Sequence, residues 1–114
     1  MPVRPVQADV ALAPLARTAT VSSGPVAAAG AAQVALLAVH VSAASGTTPT
    51  LDAVLEESVD GSSWSAVTGS GTAQLTAAGN RLSVGALTKN YVRATLTIGG
   101  TTPSFTCSAS ILFV

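Results

Sequence analysis

The sequence predicts an all-β protein, an antiparallel β-sandwich or jelly roll of about seven or eight strands. Its 114 residues are 48% hydrophobic but only 4% aromatic, and most of the hydrophobic residues are Ala and Val. Small and β-branched side chains of this kind, together with many Ser and Thr residues, favour strands over helices. Apolar and polar residues alternate in several short runs, which Gly, Ser, Asn and Pro residues separate. No stretch has the period of a long helix.

Charged residues are few and balanced, which limits the classes of partner. Five basic and five acidic residues give a formal net charge of zero, and the basic residues are scattered along the chain. Because binding to phosphate groups needs clustered Lys and Arg, the composition argues against nucleic acid and anionic membranes as partners. The single cysteine, Cys107, lies in an alternating apolar run. It is predicted to be a buried thiol, and it has no partner for an internal disulfide.

The first 16 residues are predicted to form an extended N-terminal arm, and residues 17–114 a single β-sandwich domain. Three prolines interrupt the arm, and it has no sustained period. An isolated monomer would leave its apolar residues poorly covered, so we expect them to contact a partner or a neighbouring copy. A disordered terminus is the alternative. The candidate partner-binding residues are Val3, Arg4, Val6, Val10, Leu12 and Leu15.

Two strands are predicted in the first part of the domain. Residues 17–22 alternate between apolar and polar, whereas residues 33–43 are apolar on both faces, which is typical of a central strand buried on each side. The alanine-rich residues 26–32 predict a loop or a short turn, because a proline before them and a glycine within them limit any helix. The Gly and Pro of residues 45–49 are expected to end the central strand.

A hairpin is predicted at residues 50–67. The first of its strands alternates, and Asp60-Gly61 followed by two serines provides the chemistry of a tight turn. Trp64 then lies on the returning strand. We interpret this single tryptophan as an anchor in the hydrophobic core, with stacking against a ligand as the alternative.

Four further short strands follow, joined by turns that are rich in Gly, Asn and Pro. The most regular of them carries alternating apolar residues before a Gly-Gly turn, and the last places its aromatic and aliphatic residues on one face. The predicted strands are residues 72–76, 81–84, 90–98 and 104–113.

The reactive side chains predict no catalytic, cofactor or metal site. His40 is the single histidine, and we interpret it as a structural residue held by one hydrogen bond rather than as a general base. One His and one Cys do not provide a zinc site. Glu56, Glu57 and Asp60 form the only acidic cluster, and we interpret them as solvated charges rather than as a calcium site. We therefore expect no cofactor and no enzymatic activity.

Two sequence resemblances carry functional expectations. Residues 57–67, Glu-Ser-Val-Asp-Gly-Ser-Ser-Trp-Ser-Ala-Val, and the later Tyr91-Val-Arg93 resemble a pattern common in small β-sandwich proteins of tailed bacteriophages and prophages. The resemblance covers residues 50–110 and implies a head decoration protein or another minor virion protein. The same residues are similar to discoidin-type jelly rolls, which bind glycans or lipid head groups. This chain is shorter than those and lacks their terminal cysteine pair and aromatic loop tips.

The leading hypothesis is a structural virion protein, a capsid decoration protein that stabilises the head of a phage. Its expected partners are the major capsid protein and copies of itself on a symmetric lattice, where weak contacts add through multivalency. We expect synthesis in the host cytoplasm without a signal peptide, and a final location on the capsid surface. The alternatives are a carbohydrate-binding module displayed on the virion, in which Trp64 would stack on a sugar, and a tail or head-completion subunit.

Overall fold

The computed structural model, which describes residues 7–27 and 34–113, is an antiparallel all-β fold, and the predicted fold class is confirmed. The described residues form seven strands in one hydrogen-bonded network. None of the described segments is a helix with the length and hydropathy needed to cross a bilayer. In chain order the strands are β1 (Gln7–Arg17), β2 (Val21–Ser22), β3 (Val26–Ala27), β4 (Val34–Ser58), β5 (Ser65–Ala66), β6 (Gly79–Ala86) and β7 (Tyr91–Phe113).

Two long strands hold the network together. β4 has 25 residues and β7 has 23, and they pair antiparallel from Ala35 and Phe113 at one end to Ser58 and Tyr91 at the other. β1, β2 and β3 lie in succession along the other edge of β7, and β6 and β5 lie along the other edge of β4. The network therefore has two parts, a first half-sheet with the order β1-β7-β4-β6 and a second half-sheet with the order β2/β3-β7-β4-β5. We call the pairing of β4 with β7, which runs through both parts, the ladder.

The ladder bends where the same tetrapeptide, Gly-Thr-Thr-Pro, occurs in both strands. Residues 46–49 of β4 lie opposite residues 100–103 of β7, and Thr47 pairs with Thr101. The backbone φ is +111° at both glycines, and it is 47° and 46° at the second threonine of the two segments. Left-handed residues of this kind turn a chain sharply. Because both strands carry them at the same place, the strands turn together and stay paired.

This bend corrects two predictions. Because Gly and Pro usually terminate strands, the sequence predicts an end of the central strand at residues 45–49 and a turn at residues 99–103. Both predictions are wrong, because β4 and β7 each continue through the bend and each joins two of the predicted strands. Both strands have left-handed residues at the same place, so both bend there and neither ends.

The two sides of the bend make equivalent contacts. A Cβ atom built on Gly46 would lie 2.6 Å from the carbonyl oxygen of Thr102, and one built on Gly100 would lie 2.6 Å from the carbonyl oxygen of Thr48. The two segments are thus related by an approximate two-fold axis that passes through the bend. The repeated tetrapeptide is the sequence signal for this relation.

The bend brings the two half-sheets face to face as a β-sandwich. The hydroxyl of Ser83 on β6 donates to the carbonyl of Ser70 at 2.7 Å. A Cβ atom built on Gly85 would lie 2.5 Å from Cγ1 of Val67. β6 belongs to the first half-sheet, whereas Val67 and Ser70 are hydrogen-bonded to Leu55 in the second. Along this side, therefore, the edge of one half-sheet touches the edge of the other.

One hydrophobic core fills the space between the half-sheets. Its largest members are Phe105 and Phe113, both on β7, and most of the others are Ala, Val and Leu. The predicted burial of Cys107 is confirmed, with 2% of the residue exposed. The core consists of Leu12, Ala35, Leu37, Val39, Val41, Leu51, Ala53, Leu55, Val67, Leu75, Val92, Ala94, Leu96, Phe105, Cys107, Ala109, Ile111 and Phe113.

The N-terminal half of β4 is buried on one face only. Ala35 and Leu37 are buried, but Ala38 and His40, which point the other way, are exposed. The prediction that residues 33–43 are covered on both sides is therefore wrong. The physical reason is that, in the described part of the chain, no second layer lies on the outer face of the first half-sheet.

The segment predicted to be an arm is an edge strand from residue 7 onward. β1 pairs with β7 along its length, with two register shifts that interrupt its alternation. Leu12 is 7% exposed and belongs to the core. The expectation of an arm outside the core is therefore wrong for residues 7–16. The register shifts explain why no period was visible in the sequence.

Two of the shorter predicted segments also differ from the structure. Within residues 26–32, predicted as loop or turn, Val26 and Ala27 pair with β7, and the remainder lies outside the described residues. Within residues 72–76, predicted as a strand, Leu75 forms only an isolated bridge with Leu51. Such short pairings depend on the neighbouring strand, which local sequence does not reveal.

The predicted hairpin is present, since β5 pairs antiparallel with the end of β4. Its loop is longer than the predicted tight turn, because the last pair is Glu57 with Ser65, and Trp64 lies just before β5 and not on it. The Asp60 carboxylate accepts hydrogen bonds from the backbone N–H groups of Ser62 and Ser63, at 2.8 and 3.0 Å, and from the hydroxyl of Ser58, at 2.9 Å. These donors, led by the N–H groups of Ser63 and Ser62, lower the pKa of Asp60 to about 2. The carboxylate therefore holds the turn in its ionised form.

Replacement of either bend glycine is predicted to destabilise the fold. Gly46→Ala and Gly100→Ala should each lower the free energy of unfolding by about 2 kcal/mol or more, because a Cβ meets a backbone carbonyl at a positive φ. Urea titration measures this loss. Gly71→Ala is the matched control, with open space around its Cβ and no left-handed φ. If the bend variants were as stable as this control, the bend would not be needed.

Acid is predicted to weaken the Asp60 turn. The pKa of Asp60 is about 2 in the folded chain, below its ordinary value of 3.8. Its stabilising effect is therefore complete above about pH 4 and lost as the pH falls through about 2. In thermal unfolding, the difference between wild type and Asp60→Asn should be largest above about pH 4 and should vanish near pH 2. Asp52→Asn removes the same charge outside the turn, so equal behaviour of the two variants would contradict the assignment.

Candidate partner-binding surface

The outer face of the second half-sheet is polar, and its side chains pair with one another. Glu56 on β4 and Arg93 on β7 stand opposite each other in the ladder, with Nε of Arg93 2.8 Å from Oε1 of Glu56. Thr95 donates its hydroxyl to the same carboxylate oxygen at 2.5 Å. The Arg93 guanidinium lies 4.4 Å from the centre of the Trp64 ring, within range of a cation–π interaction. This face is therefore suited to contact with water.

Trp64 lies on this polar face and is not part of the hydrophobic core. The residue is half-buried, and its ring covers Arg93, which projects outward from β7. The interpretation of Trp64 as a core anchor is therefore wrong, because the two phenylalanines of β7 supply the bulk of the interior instead. Stacking against a ligand stays a prediction, and Arg93 already occupies one side of the ring.

The three acidic residues of the predicted cluster serve separate parts of the fold. Glu57 is only 7% exposed, and it accepts hydrogen bonds from the backbone N–H and the hydroxyl of Thr88, at 2.8 and 3.1 Å. It thereby holds the connection between β6 and β7. Glu56 pairs with Arg93, and Asp60 holds its own turn. The expectation of solvated charges is wrong for Glu57. Among the described residues, no group of three or more His, Cys, Asp or Glu side chains is arranged to hold a metal ion.

His40 and Cys107 lie on opposite sides of the first half-sheet. His40 is exposed, and its Nδ1 shares a hydrogen bond with Oδ1 of Asn80 on the neighbouring strand. Cys107 faces the core, where burial raises the pKa of its thiol against the opposing charge of the Arg17 guanidinium. A buried neutral thiol and an exposed histidine on the other side of a sheet do not form a nucleophile and base pair.

The outer face of the first half-sheet has no charged residue at its outward positions on β4, β6 and β7. Its outward positions are every second residue of 36–42 on β4, 80–86 on β6 and 106–112 on β7, and none of them is Asp, Glu, Lys or Arg. We call this surface the neutral face. A shallow depression of about 360 Å³ lies on it between Leu82 and Ser110, and Arg81, whose guanidinium donates to Ala73 and Gln74, is among its lining residues. The neutral face thus differs sharply from the ion-paired outer face of the second half-sheet.

β6 presents its apolar side chains to the neutral face and not to the core. Leu82 is 68% exposed and Val84 is 54% exposed. The inward positions hold Arg81, Ser83 and Gly85, which bond to or pack against the facing half-sheet. The strand itself is predicted from the sequence at residues 81–84, but the face that its apolar residues occupy is not. Apolar and polar residues alternate equally well in either register, so only the long-range pairing decides which set faces outward.

The structure separates the residues that were predicted to bind a partner. Leu12 is buried in the core and is not available for contact, whereas Leu15 is 59% exposed on the edge strand β1. Val10 pairs through its backbone with Ser110, which places β1 beside the neutral face. Outside the described residues lie Val3, Arg4 and Val6.

Two solved structures are similar to this chain in fold. XepA, an exported protein of the phage PBSX, covers 94% of this chain with 16% identity and a TM-score of 0.64. The structure of the infectious bursal disease virus Gx strain covers 96% of it with 14% identity and a TM-score of 0.57. This chain spans 36% of the first protein and 31% of the second. No family model and no curated protein matches the sequence. At these identities the similarity concerns the fold, a β-sandwich that occurs in a phage protein and in a virus.

Proposed function

We propose that this chain is a structural virion protein of a tailed bacteriophage, namely a capsid decoration protein that binds the major capsid protein and stabilises the head. In this role it acts through contact and not through catalysis. It uses no cofactor, and its place is the outer surface of the capsid.

The observation that carries the proposal is the similarity of nearly the whole fold to an exported phage protein and to a virus structure, over 94% and 96% of the chain. The resemblance of the Asp-Gly turn, Trp64 and Tyr91-Val-Arg93 to phage β-sandwich proteins points in the same direction. The two lines are independent, because one rests on the path of the backbone and the other on short sequence motifs.

The use of polar side chains supports a role in contact. The carboxylates of Glu56, Glu57 and Asp60 are engaged in an ion pair, a strand connection and a turn. The described surface also contains the edge strand β1 and the neutral face, neither of which depends on these carboxylates. Weak contacts of such surfaces gain strength when many copies bind the same lattice.

The edge strand β1 is the part that we propose for contact with the capsid shell. Its Leu15 is an exposed, large apolar residue, and the strand follows directly after the predicted partner-binding residues Val3, Arg4 and Val6. An apolar residue beside a sheet edge suits a protein partner, since backbone groups and side chain bind together. Leu12 is excluded from this contact by its place in the core.

Quantitative mass spectrometry of purified particles tests the proposed location. A decoration protein should be present in on the order of hundreds of copies, and particles assembled without it should release their genome at a lower temperature. A handful of copies would instead indicate a tail or head-completion subunit. Unchanged thermal stability of particles that lack the chain would contradict a stabilising role.

The proposed contact of β1 has a matched pair of variants within the same experiment. Leu15→Asp should lower the number of copies on the particle, whereas Val59→Asp, at an equally exposed residue in the β4-β5 turn, should leave it unchanged. Full occupancy with Leu15→Asp would place the capsid contact elsewhere on the chain.

A carbohydrate-binding module on the virion surface is the second candidate, favoured by the position of Trp64 outside the core. On a glycan array, wild type should then bind a sugar that Trp64→Ala no longer binds, while Trp64→Phe keeps part of the affinity through its aromatic ring. The thermal midpoint of both variants checks that they fold. Absence of binding by wild type, or full binding by Trp64→Ala, would contradict this candidate.

A further inference from the structure

We propose that the neutral face is the surface through which two copies of this chain associate. The proposal does not depend on a location in the virion, because it concerns the isolated protein in solution. Its carrying observation is the orientation of β6, whose two largest apolar side chains, Leu82 and Val84, point away from the core with 68% and 54% of their surface exposed.

The facing half-sheet explains why inward positions 83 and 85 of β6 hold small residues. A Cβ atom on Gly85 would lie 2.5 Å from Val67, and Ser83 donates to the Ser70 carbonyl, so these two positions have no room for a large apolar side chain. On the outward side, residues 7–27 and 34–113 leave Leu82 and Val84 largely uncovered. Serine or threonine in place of Leu82 and Val84 would satisfy the same strand. Exposed apolar residues that the fold does not need are typical of a surface that a partner covers.

The apolar side chains of the neutral face lie in rows that run across neighbouring strands. Val84 on β6, Leu36 on β4 and Leu112 on β7 lie in one row, since Leu36 pairs with both of its neighbours. The next row places Leu82 beside Ala38. The outward positions closer to the bend hold polar residues. The apolar part is therefore continuous and lies at the end of the face that is remote from the bend.

The absence of charged residues at the outward positions of the neutral face favours a second copy of this chain as the partner. In a two-fold dimer each surface meets itself, so any charged residue near the axis would face its own like charge. The neutral face carries no Asp, Glu, Lys or Arg at its outward positions, and the chain has a formal net charge of zero. The outer face of the second half-sheet, with Asp52, Glu56 and Arg93, lacks this property. Two flat sheet faces also pack in the way that the two half-sheets pack inside the chain.

The size of the face indicates a weak dimer. Strands about 4.8 Å apart and outward residues about 6.8 Å apart give roughly 400–500 Å² a copy for the strands of the first half-sheet. Two copies then bury about 800–1,000 Å², which is at the lower limit for a specific interface. Association should therefore appear only at high protein concentration, or where other contacts already hold the copies together.

Sedimentation of the purified chain at concentrations up to about 1 mM tests the proposal. Wild type should approach twice the mass of the 11.1 kDa chain. Val84→Glu and Leu82→Glu should weaken association at least about tenfold, because each places a like charge near the two-fold axis. Val59→Glu is the matched control, since Val59 is 63% exposed outside the neutral face. It should behave as wild type.

Two checks make the outcome decisive. The thermal midpoints of the glutamate variants should equal that of wild type, and the methyl resonances of Leu36, Leu82 and Val84 should shift on dilution of wild type. Monomeric wild type at the highest concentration would overturn the proposal, as would a dimer that Val84→Glu leaves intact. If wild type stays monomeric but Val84→Glu lowers occupancy on particles, the face binds a different protein and self-association is excluded.

Discussion

The whole fold depends on the ladder between β4 and β7 and on the bend that folds this ladder double. The other strands all pair with one of these two, so none forms a sheet without them. A flat ladder would leave the apolar face of each half-sheet in water, and a two-stranded sheet has little stability of its own. The bend solves this problem because each half-sheet covers the other. It requires two glycines, since a backbone carbonyl lies 2.6 Å from the place of each missing Cβ.

The distribution of the polar residues depends on this arrangement of two half-sheets. A sandwich made of small side chains has two outer faces, and this chain has only ten charged residues to distribute. On the second half-sheet, Glu56 and Arg93 form an ion pair under the Trp64 ring. On the first half-sheet, the outward positions are aliphatic or carry hydroxyl, amide or imidazole groups. The two outer faces therefore differ: one carries paired charges, and the other has no charged residue at the outward positions of β4, β6 and β7.

Local chemistry made part of this structure predictable from the sequence. The alternating strands, the small-residue core, buried Cys107 and the Asp60-Gly61 hairpin all rest on signals that span a few residues. The bend was missed because Gly-Thr-Thr-Pro usually ends a strand, and it continues here only because the partner strand bends with it. The exposure of Leu82 and Val84 and the burial of Leu12 depend on register between distant segments, which no local pattern specifies.

Because of this ladder, the fold depends on contacts between residues that are far apart in the sequence. Ser58 and Tyr91 close the smallest loop between β4 and β7, and each rung toward Ala35 and Phe113 encloses more chain, at a rising cost in entropy. During synthesis, β4 and its neighbours β5 and β6 are made before β7, so the backbone groups along the β7 edge of β4 have no partner strand until residues 91–113 are made. Because most contacts of the fold join residues that are far apart in the sequence, we expect this topology to fold slowly. From the completion of β4 at Ser58 until β7 begins at Tyr91, the nascent chain carries a 25-residue strand without the partner along its β7 edge.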